Sequence, residues 1–321
     1  MWEPIALSRR GGKIEPIQIG NFCRGFPIRV FCLRPNKEKL MIRWTLAFAL
    51  TAALSSHTAA QSAVERGSYL VNTIMTCANC HSPKGPPAAV AGKDFSGGLR
   101  FNEPPFDVTA PNITSDKETG LGNWTDAEIK TLLLTGKDHH GIQVAEVMPT
   151  AFYPILTPED LNAIVAYLRT LAPIKNKVAD PVYKIALPHH VYPGAEKAYS
   201  QADLNDKLKK GRYLATIGHC MECHTPFKQG GGGADFADSL GKGGRDFPGP
   251  WGISKSRNIT SSKTAGLGDW TDAEIKTAIT QGKRKDGTPL KGPMGFQYYA
   301  KMTDADLDAV IAYLRTVPAK D

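Results

Sequence analysis

A pentapeptide, Cys77-Ala78-Asn79-Cys80-His81, returns as Cys220-Met221-Glu222-Cys223-His224, and a much longer stretch of chain is duplicated around it. Arg66-Gly67-Ser68-Tyr69-Leu70 is answered by Lys210-Gly211-Arg212-Tyr213-Leu214, and Asn112-Ile113-Thr114 by Asn258-Ile259-Thr260. Gly120 to Lys130 matches Gly266 to Lys276, and Ala163 to Thr170 matches Ala309 to Thr316. Such a chain has to build one compact unit twice. The pentapeptides are offset by 143 residues and everything later by 146, so the second copy carries three extra residues. The Gly230 to Gly233 run can hold them as a surface-loop insertion at little entropic cost. The resulting division is 1–60 upstream extension and leader, 61–178 first unit, 179–203 linker and 204–321 second unit.

Each unit reads as all-α. Val64, Leu70, Val71 and Ile74 recur at roughly helical spacing before Cys77, and Leu161, Ile164, Val165 and Leu168 do so near the unit's end. A central helix starts at Thr125, whose Thr-x-x-Glu pattern with Glu128 is a capping box, repeated at Thr271 and Glu274. No alternating strand pattern stands out, and Gly and Pro crowd the remaining loops. Gly67 and Gly211 mark close helix crossings against the helices of Tyr167 and Tyr313.

Cys-x-x-Cys-His is the pattern that attaches a c-type haem. Two thiols form thioethers with the vinyl groups, and the adjacent imidazole reaches the iron as proximal ligand. A thioredoxin-like motif needs βαβ flanks, a zinc ribbon needs its Cys pairs about 15–20 residues apart, and two disulfides leave His81 and His224 without a purpose. The expectation is therefore two covalent haem c groups, on Cys77 and Cys80 and on Cys220 and Cys223, with His81 and His224 on the irons. For the sixth position the repeat nominates Met148 and Met294, which lie 146 apart on Pro- or Gly-bounded loops. A Met ligand favours electron transfer at raised potential, whereas an open position invites peroxide chemistry. Met302 has Leu156 as its counterpart, and Met75 and Met221 sit too close to the attachment turns. His139-His140 correspond to Lys285-Asp286 and read as solvent-exposed, His189-His190 fall in the linker, and His219 directly precedes Cys220. No triad or phosphate loop is present, so no catalytic residue is assigned.

Met41-Ile42-Arg43 opens a signal peptide whose apolar stretch, Trp44 to Leu54, is too short to span a bilayer, with Thr58-Ala59-Ala60 as its cleavage site. Residues 1–40 read as an upstream extension. The location expected is therefore periplasmic. The chain's net charge of +8 also belongs mostly to this part, because residues 1–60 hold nine Lys/Arg and three Asp/Glu. What remains is near balance, which argues against nucleic acid as partner. The two units differ, however: Gln61 to Ser200 has 12 basic and 14 acidic residues, and Gln201 to Asp321 has 18 and 14. Lys283, Arg284 and Lys285 stand where the first copy has Lys137, Asp138 and His139, so an acidic partner is expected on the second unit beside Met294.

The order haem motif, Asn-Ile-Thr, Gly-Leu-Gly-x-Trp-Thr-Asp-Ala-Glu-Ile, methionine loop and final Ala-Tyr-Leu-Arg resembles the class I cytochrome c domains in multi-haem subunits of periplasmic alcohol, gluconate and aldehyde dehydrogenases. The resemblance covers nearly all of residues 63–321. It implies two tandem class I cytochrome c domains, each wrapped around one covalent haem, with the ligands just named. It places the Asn-Ile-Thr segments, Trp124 and Trp270 on the propionate side. It further implies an electron-transfer protein rather than an enzyme, with a periplasmic dehydrogenase as donor and another cytochrome or a terminal oxidase as acceptor. With two domains and no anchoring segment before Asp321, at most peripheral membrane association is expected. The alternative, a dihaem cytochrome c peroxidase-type enzyme, requires unequal iron sites, and a haem sensor should show an appended signalling domain.

Overall fold

The computed structural model describes residues 62–84 and 90–321. The expected leader and its cleavage site lie outside the described residues.

The first copy begins with helix α1, residues 62–69, which runs into a π turn at Leu70–Ile74. Helix α2 spans Ala78–His81, and strands β1 (Arg100–Glu103) and β2 (Phe106–Thr109) follow. Helix α3 (Asp126–Thr135) leads through a loop and the 3-10 turn Thr150–Phe152 to helix α4 (Pro158–Thr170). Strand β3 (Val182–Tyr183) joins the first copy's sheet before the chain enters the second copy, which repeats the plan. It comprises α5 (Lys207–Ile217), α6 (Cys220–His224), β4 (Asp246–Gly249), β5 (Gly252–Lys255), α7 (Asp272–Gln281), α8 (Phe296–Tyr299) and α9 (Asp304–Leu314).

Local chemistry sets the helix ends. Thr125 accepts from the Glu128 amide at 3.2 Å while the Glu128 carboxylate accepts from the Thr125 amide at 2.7 Å, and Thr271 and Glu274 repeat both distances. Thr157 caps α4 through the Asp160 amide, with Pro158 at the first helical position, and Thr303 caps α9 through the Asp306 amide. The final helices bury Leu161, Ile164, Val165 and Leu168 in one copy and Leu307, Val310, Ile311 and Leu314 in the other. They cross the first helices at the expected glycines. A Cβ on Gly67 would lie 1.9 Å from the Ala163 carbonyl oxygen, and one on Gly211 1.9 Å from that of Ala309.

The π turn explains a small irregularity in the repeat. The glycines Gly67 and Gly211 are offset by 144 residues and the cysteines by 143, so the first copy has one more residue between them. The extra residue is absorbed within α1, where the Met75 amide reaches the Leu70 carbonyl at 2.8 Å. The three extra residues of the second copy lie between Pro226 and Ser239. Gly230 to Gly233 all have positive φ, and a Cβ on any of them would meet nothing within 4 Å.

All-α needs correction, because each copy carries an antiparallel hairpin. Arg100 pairs with Thr109 and Glu103 with Phe106, and Asp246 pairs with Lys255 and Gly249 with Gly252. The four-residue strands are mostly exposed, and β4 contains Pro248, so they offer neither the length nor the alternation by which strands are recognised. Nor is the segment 179–203 a loose tether. Val182 and Tyr183 add a strand to β2, and Tyr192 is buried with its ring stacked 4.7 Å from that of Phe152.

The two copies meet through reciprocal contacts. Asp160 of α4 accepts from Arg66 of its own copy at 2.7 and 2.8 Å and from the Tyr213 hydroxyl of the other copy at 2.7 Å. Asp306 of α9 accepts from the Tyr69 hydroxyl of the first copy at 2.6 Å, and Lys210 Nζ lies 2.5 Å from its Oδ1 as an ion pair. Each copy's first helix thus completes the carboxylate site of the other copy's last helix, the relation a two-fold axis generates.

Candidate functional sites

Both attachment turns begin from a strained residue. Thr76 and His219, immediately before Cys77 and Cys220, have φ of 51° and 43°. This left-handed step turns the chain out of the first helix and into the short α2 and α6. Within each turn the two cysteines and the histidine stand at i, i+3 and i+4, the spacing that gathers side chains on one helical face. All four cysteines are free thiols. Burial pushes Cys77 and Cys223 up to about 12 and Cys80 and Cys220 up to about 11. No group of three His, Cys, Asp or Glu side chains among the described residues is arranged to hold a metal ion.

The histidines are held alike. His81 Nδ1 lies 2.8 Å from the Pro111 carbonyl oxygen, and His224 Nδ1 lies 2.6 Å from that of Arg257, the residue 146 further on. A carbonyl can only accept, so Nδ1 carries the hydrogen and Nε2 keeps a lone pair for a metal. Desolvation by burial lowers both imidazole pKa values, more than the carbonyl contacts raise them, which favours the neutral, ligating form. This donor set fits haem iron.

Met148 and Met294 stand half-buried on the loops after α3 and α7. Met148 packs against the buried cluster that Cys77 and Cys220 also adjoin. Met294 precedes Gly295, where a Cβ would stand 3.9 Å from Thr76 Cγ2 of the other copy. In the other direction, the Phe152 ring, four residues after Met148, lies 6.5 Å from the His219 ring. The segments that follow the two methionines thus approach the residue preceding the other copy's attachment turn.

Asn112 and Asn258 donate at 2.7 and 2.5 Å to the carbonyls of Ile174 and Lys320, and each accepts from the Thr two residues on. These side chains pin the segment after the last helix of their unit. Arg169 and Arg315 tie the last helix to Asp126 and Asp272 at the start of α3 and α7, and to the carbonyls of Trp124 and Trp270. The His139 ring lies 4.1 Å from that of Trp124, tilted by 56°, while Lys285 Nζ sits 5.9 Å over Trp270.

Sequence reasoning passed over Tyr153 and Tyr299, an in-register pair beside the attachment turns. Burial raises both hydroxyls well above the ordinary tyrosine range, with Cys77 and Glu222 adding to it at Tyr153 and Cys220 and Cys223 at Tyr299. Their spacing of 146 was the signal available in the sequence.

Paired helical units, each with a Cys-x-x-Cys-His turn, an oriented imidazole and a methionine loop, define a tandem c-type cytochrome architecture. The profile of the Cytochrome c family matches residues 64–172 and 208–318, and the chain belongs to that family. Domains of this kind carry covalently attached haem. The chain is 30% identical over 302 residues to a gluconate 2-dehydrogenase cytochrome c subunit of Pantoea cypripedii, covering 88% of this chain and 65% of that protein. It is 30% identical to a fructose dehydrogenase cytochrome subunit of Gluconobacter japonicus, covering 80% of this chain and 53% of that one. A diheme cytochrome c-type protein of Cereibacter sphaeroides is also 30% identical, with 76% of this chain and 82% of that protein covered. The chain thus spans less than two thirds of the length of the two dehydrogenase subunits. No helix among the described residues is long and apolar enough to cross a membrane.

Proposed function

We propose that this chain is a periplasmic dihaem cytochrome c that takes electrons from a dehydrogenase and passes them towards the respiratory chain. Bound haem supplies reversible one-electron chemistry at iron. Cys77 with Cys80, and Cys220 with Cys223, hold the two groups covalently. His81 and His224 would offer Nε2 to the irons, and Met148 and Met294 would supply a thioether sulfur to each. The observation that carries this reading is the repeated imidazole geometry, with Nδ1 committed to a carbonyl in both copies. In-register methionines favour electron transfer over the peroxidase alternative, since Met occupies the position peroxide needs. The relatives named as dehydrogenase subunits support a dehydrogenase as donor. The acceptor is another cytochrome or a terminal oxidase. Export follows from the leader ending near Ala60.

The exported protein should begin at Gln61 by mass spectrometry and contain two haems by pyridine haemochrome assay. Met148→Ala and Met294→Ala should each remove part of the sulfur-to-iron charge-transfer band and lower one of the two midpoint potentials. A band unchanged in both variants, or rapid turnover of hydrogen peroxide by the parent, overturns the assignment.

A further inference from the structure

We propose that the second unit's β4–β5 hairpin and the adjoining turn 283–291 form the docking surface for an acidic electron-transfer protein. The inference rests on the haem reading above and adds the chemistry and place of the partner.

The hairpin spans the second site from end to end. At one end Arg245 Nη1 donates to the Glu222 carbonyl at 2.5 Å, inside the attachment turn. At the other, Trp251 rests on Gly292, two residues before Met294, where a Cβ would be 2.8 Å from the indole. A different flank of this site is already covered by the first unit, through Gly295 against Thr76 and Phe152 against His219. Among the described residues, nothing is packed over the hairpin side, where Phe227 and Ile253 stay exposed.

Its composition is that of an interface. Phe227 and Ile253 are 58% and 69% exposed, and the Arg245 guanidinium lies 4.0 Å from the Phe227 ring centre and 5.3 Å from that of Phe247. Aromatic and arginine side chains at the centre of a charged rim are the usual anchors of protein contacts. Segments 245–255 and 283–291 hold six basic residues and two acidic ones. Lys283, Arg284, Lys285 and Lys291 have no ion-pair partner among the described residues, and Asp286 is engaged by Thr288 at 2.6 and 2.9 Å.

The first unit supplies an internal contrast. Its matching segments, 99–109 and 137–145, hold two basic and three acidic residues. Arg100 is neutralised by Asp107, as Lys255 is by Asp246 in the second unit, but Lys84 stands at the place of Phe227 with its ammonium on Asn79, and β2 is covered by Val182–Tyr183. The β5 edge corresponding to β2 has no partner strand among the described residues. One architecture thus presents a closed acidic face in one copy and an open basic, partly apolar face in the other. Rim charges of this kind steer association and make it salt-dependent, while the apolar centre permits the close approach that electron transfer needs.

The test uses the intact dihaem protein and plastocyanin, a small acidic copper protein, as probe. Isothermal titration should show binding whose dissociation constant rises about tenfold between low and physiological ionic strength. Reversal of Lys283, Arg284 and Lys285 to Glu should weaken binding by a further tenfold or so, and Ile253→Ser should weaken it with the salt slope unchanged. In stopped-flow mixing, the charge-reversed variant should reduce plastocyanin more slowly than the parent. Arg100→Glu, on the first unit, should leave binding as it was. Salt-independent binding, equal loss from Arg100→Glu, or binding to anionic vesicles in place of plastocyanin overturns the proposal. Haem content and the charge-transfer band are recorded on the same samples. Their loss from the parent sinks the haem reading, and their retention without plastocyanin binding sinks only the docking surface.

Discussion

Gly67 and Gly211 stand where two helices touch backbone to backbone, and the added methyl of an alanine has nowhere to go. The obstacle is a carbonyl oxygen rather than a flexible side chain, so the helices must separate. Gly67→Ala and Gly211→Ala are each expected to destabilise the protein by about 2–3 kcal/mol, read as a lower urea midpoint. Asp160 carries a different load. It is buried, and it receives a guanidinium from its own copy and a hydroxyl from the other. Removing it leaves Arg66 uncompensated and Tyr213 unpaired, so Asp160→Ala should cost about 3 kcal/mol or more. Tyr213→Phe, which loses one hydrogen bond and leaves the ion pair, should cost about 1–2 kcal/mol. Denaturant titrations of the two variants that rank them in the opposite order would show that the ion pair is not the stronger contact.

Among the elements, α3 and α7 are the same object twice. They share the capping box, the left-handed C-terminal glycine at Gly136 and Gly282, and the arginine that ties them to the last helix. Thr125→Ala and Thr271→Ala should therefore lose similar amounts, about 1 kcal/mol each. A clear difference in their denaturant midpoints would mean that packing, not capping, decides the helix start. The Gly230 to Gly233 loop makes the opposite case. Nothing packs on it, so removal of three glycines should change stability by no more than about 0.6 kcal/mol. The π turn of α1 lies between these extremes. Its extra residue is built into a buried stretch, with Leu70, Val71 and Ile74 all in the core, so the same kind of length change that a loop ignores has reshaped a helix.

At the scale of the whole molecule, the reciprocal contacts make stability depend on pH at both ends. Burial opposes ionisation of Asp306, but the Lys210 ammonium paired with it and the hydrogen bond from Tyr69 outweigh it and hold the carboxyl below its ordinary value. Its contribution is thus present above the unfolded carboxylate pKa and is lost as pH falls through the folded one. Burial and the bond to Asp306 push Tyr69 up to about 12. That contribution is complete below the unfolded value of about 10 and disappears as pH rises from there towards about 12. Thermal midpoints should fall on the alkaline side across that window, and Tyr69→Phe should flatten the fall while lowering the plateau near neutrality. An alkaline limb unchanged by the substitution would assign the loss to other groups, such as Tyr213.

The sequence by itself determined the parts that are local or repeated. Duplication declared two units, Thr-x-x-Glu declared two helix starts, and Cys-x-x-Cys-His declared the chemistry, because each depends on side chains a few residues apart. Glycine in register also revealed both helix crossings. Other features were decided only in three dimensions. The hairpins are short, with β1, β4 and β5 largely exposed and β2 half-buried under β3, so they leave no hydrophobic period to read. The carbonyls of Pro111 and Arg257 orient the histidines through backbone atoms, which carry no sequence signature. Asp160 with Tyr213, and Asp306 with Tyr69, join residues 53 and 237 positions apart. Repeat spacing relates equivalent positions within two units, whereas a two-fold interface joins non-equivalent ones, and only the folded chain brings those together.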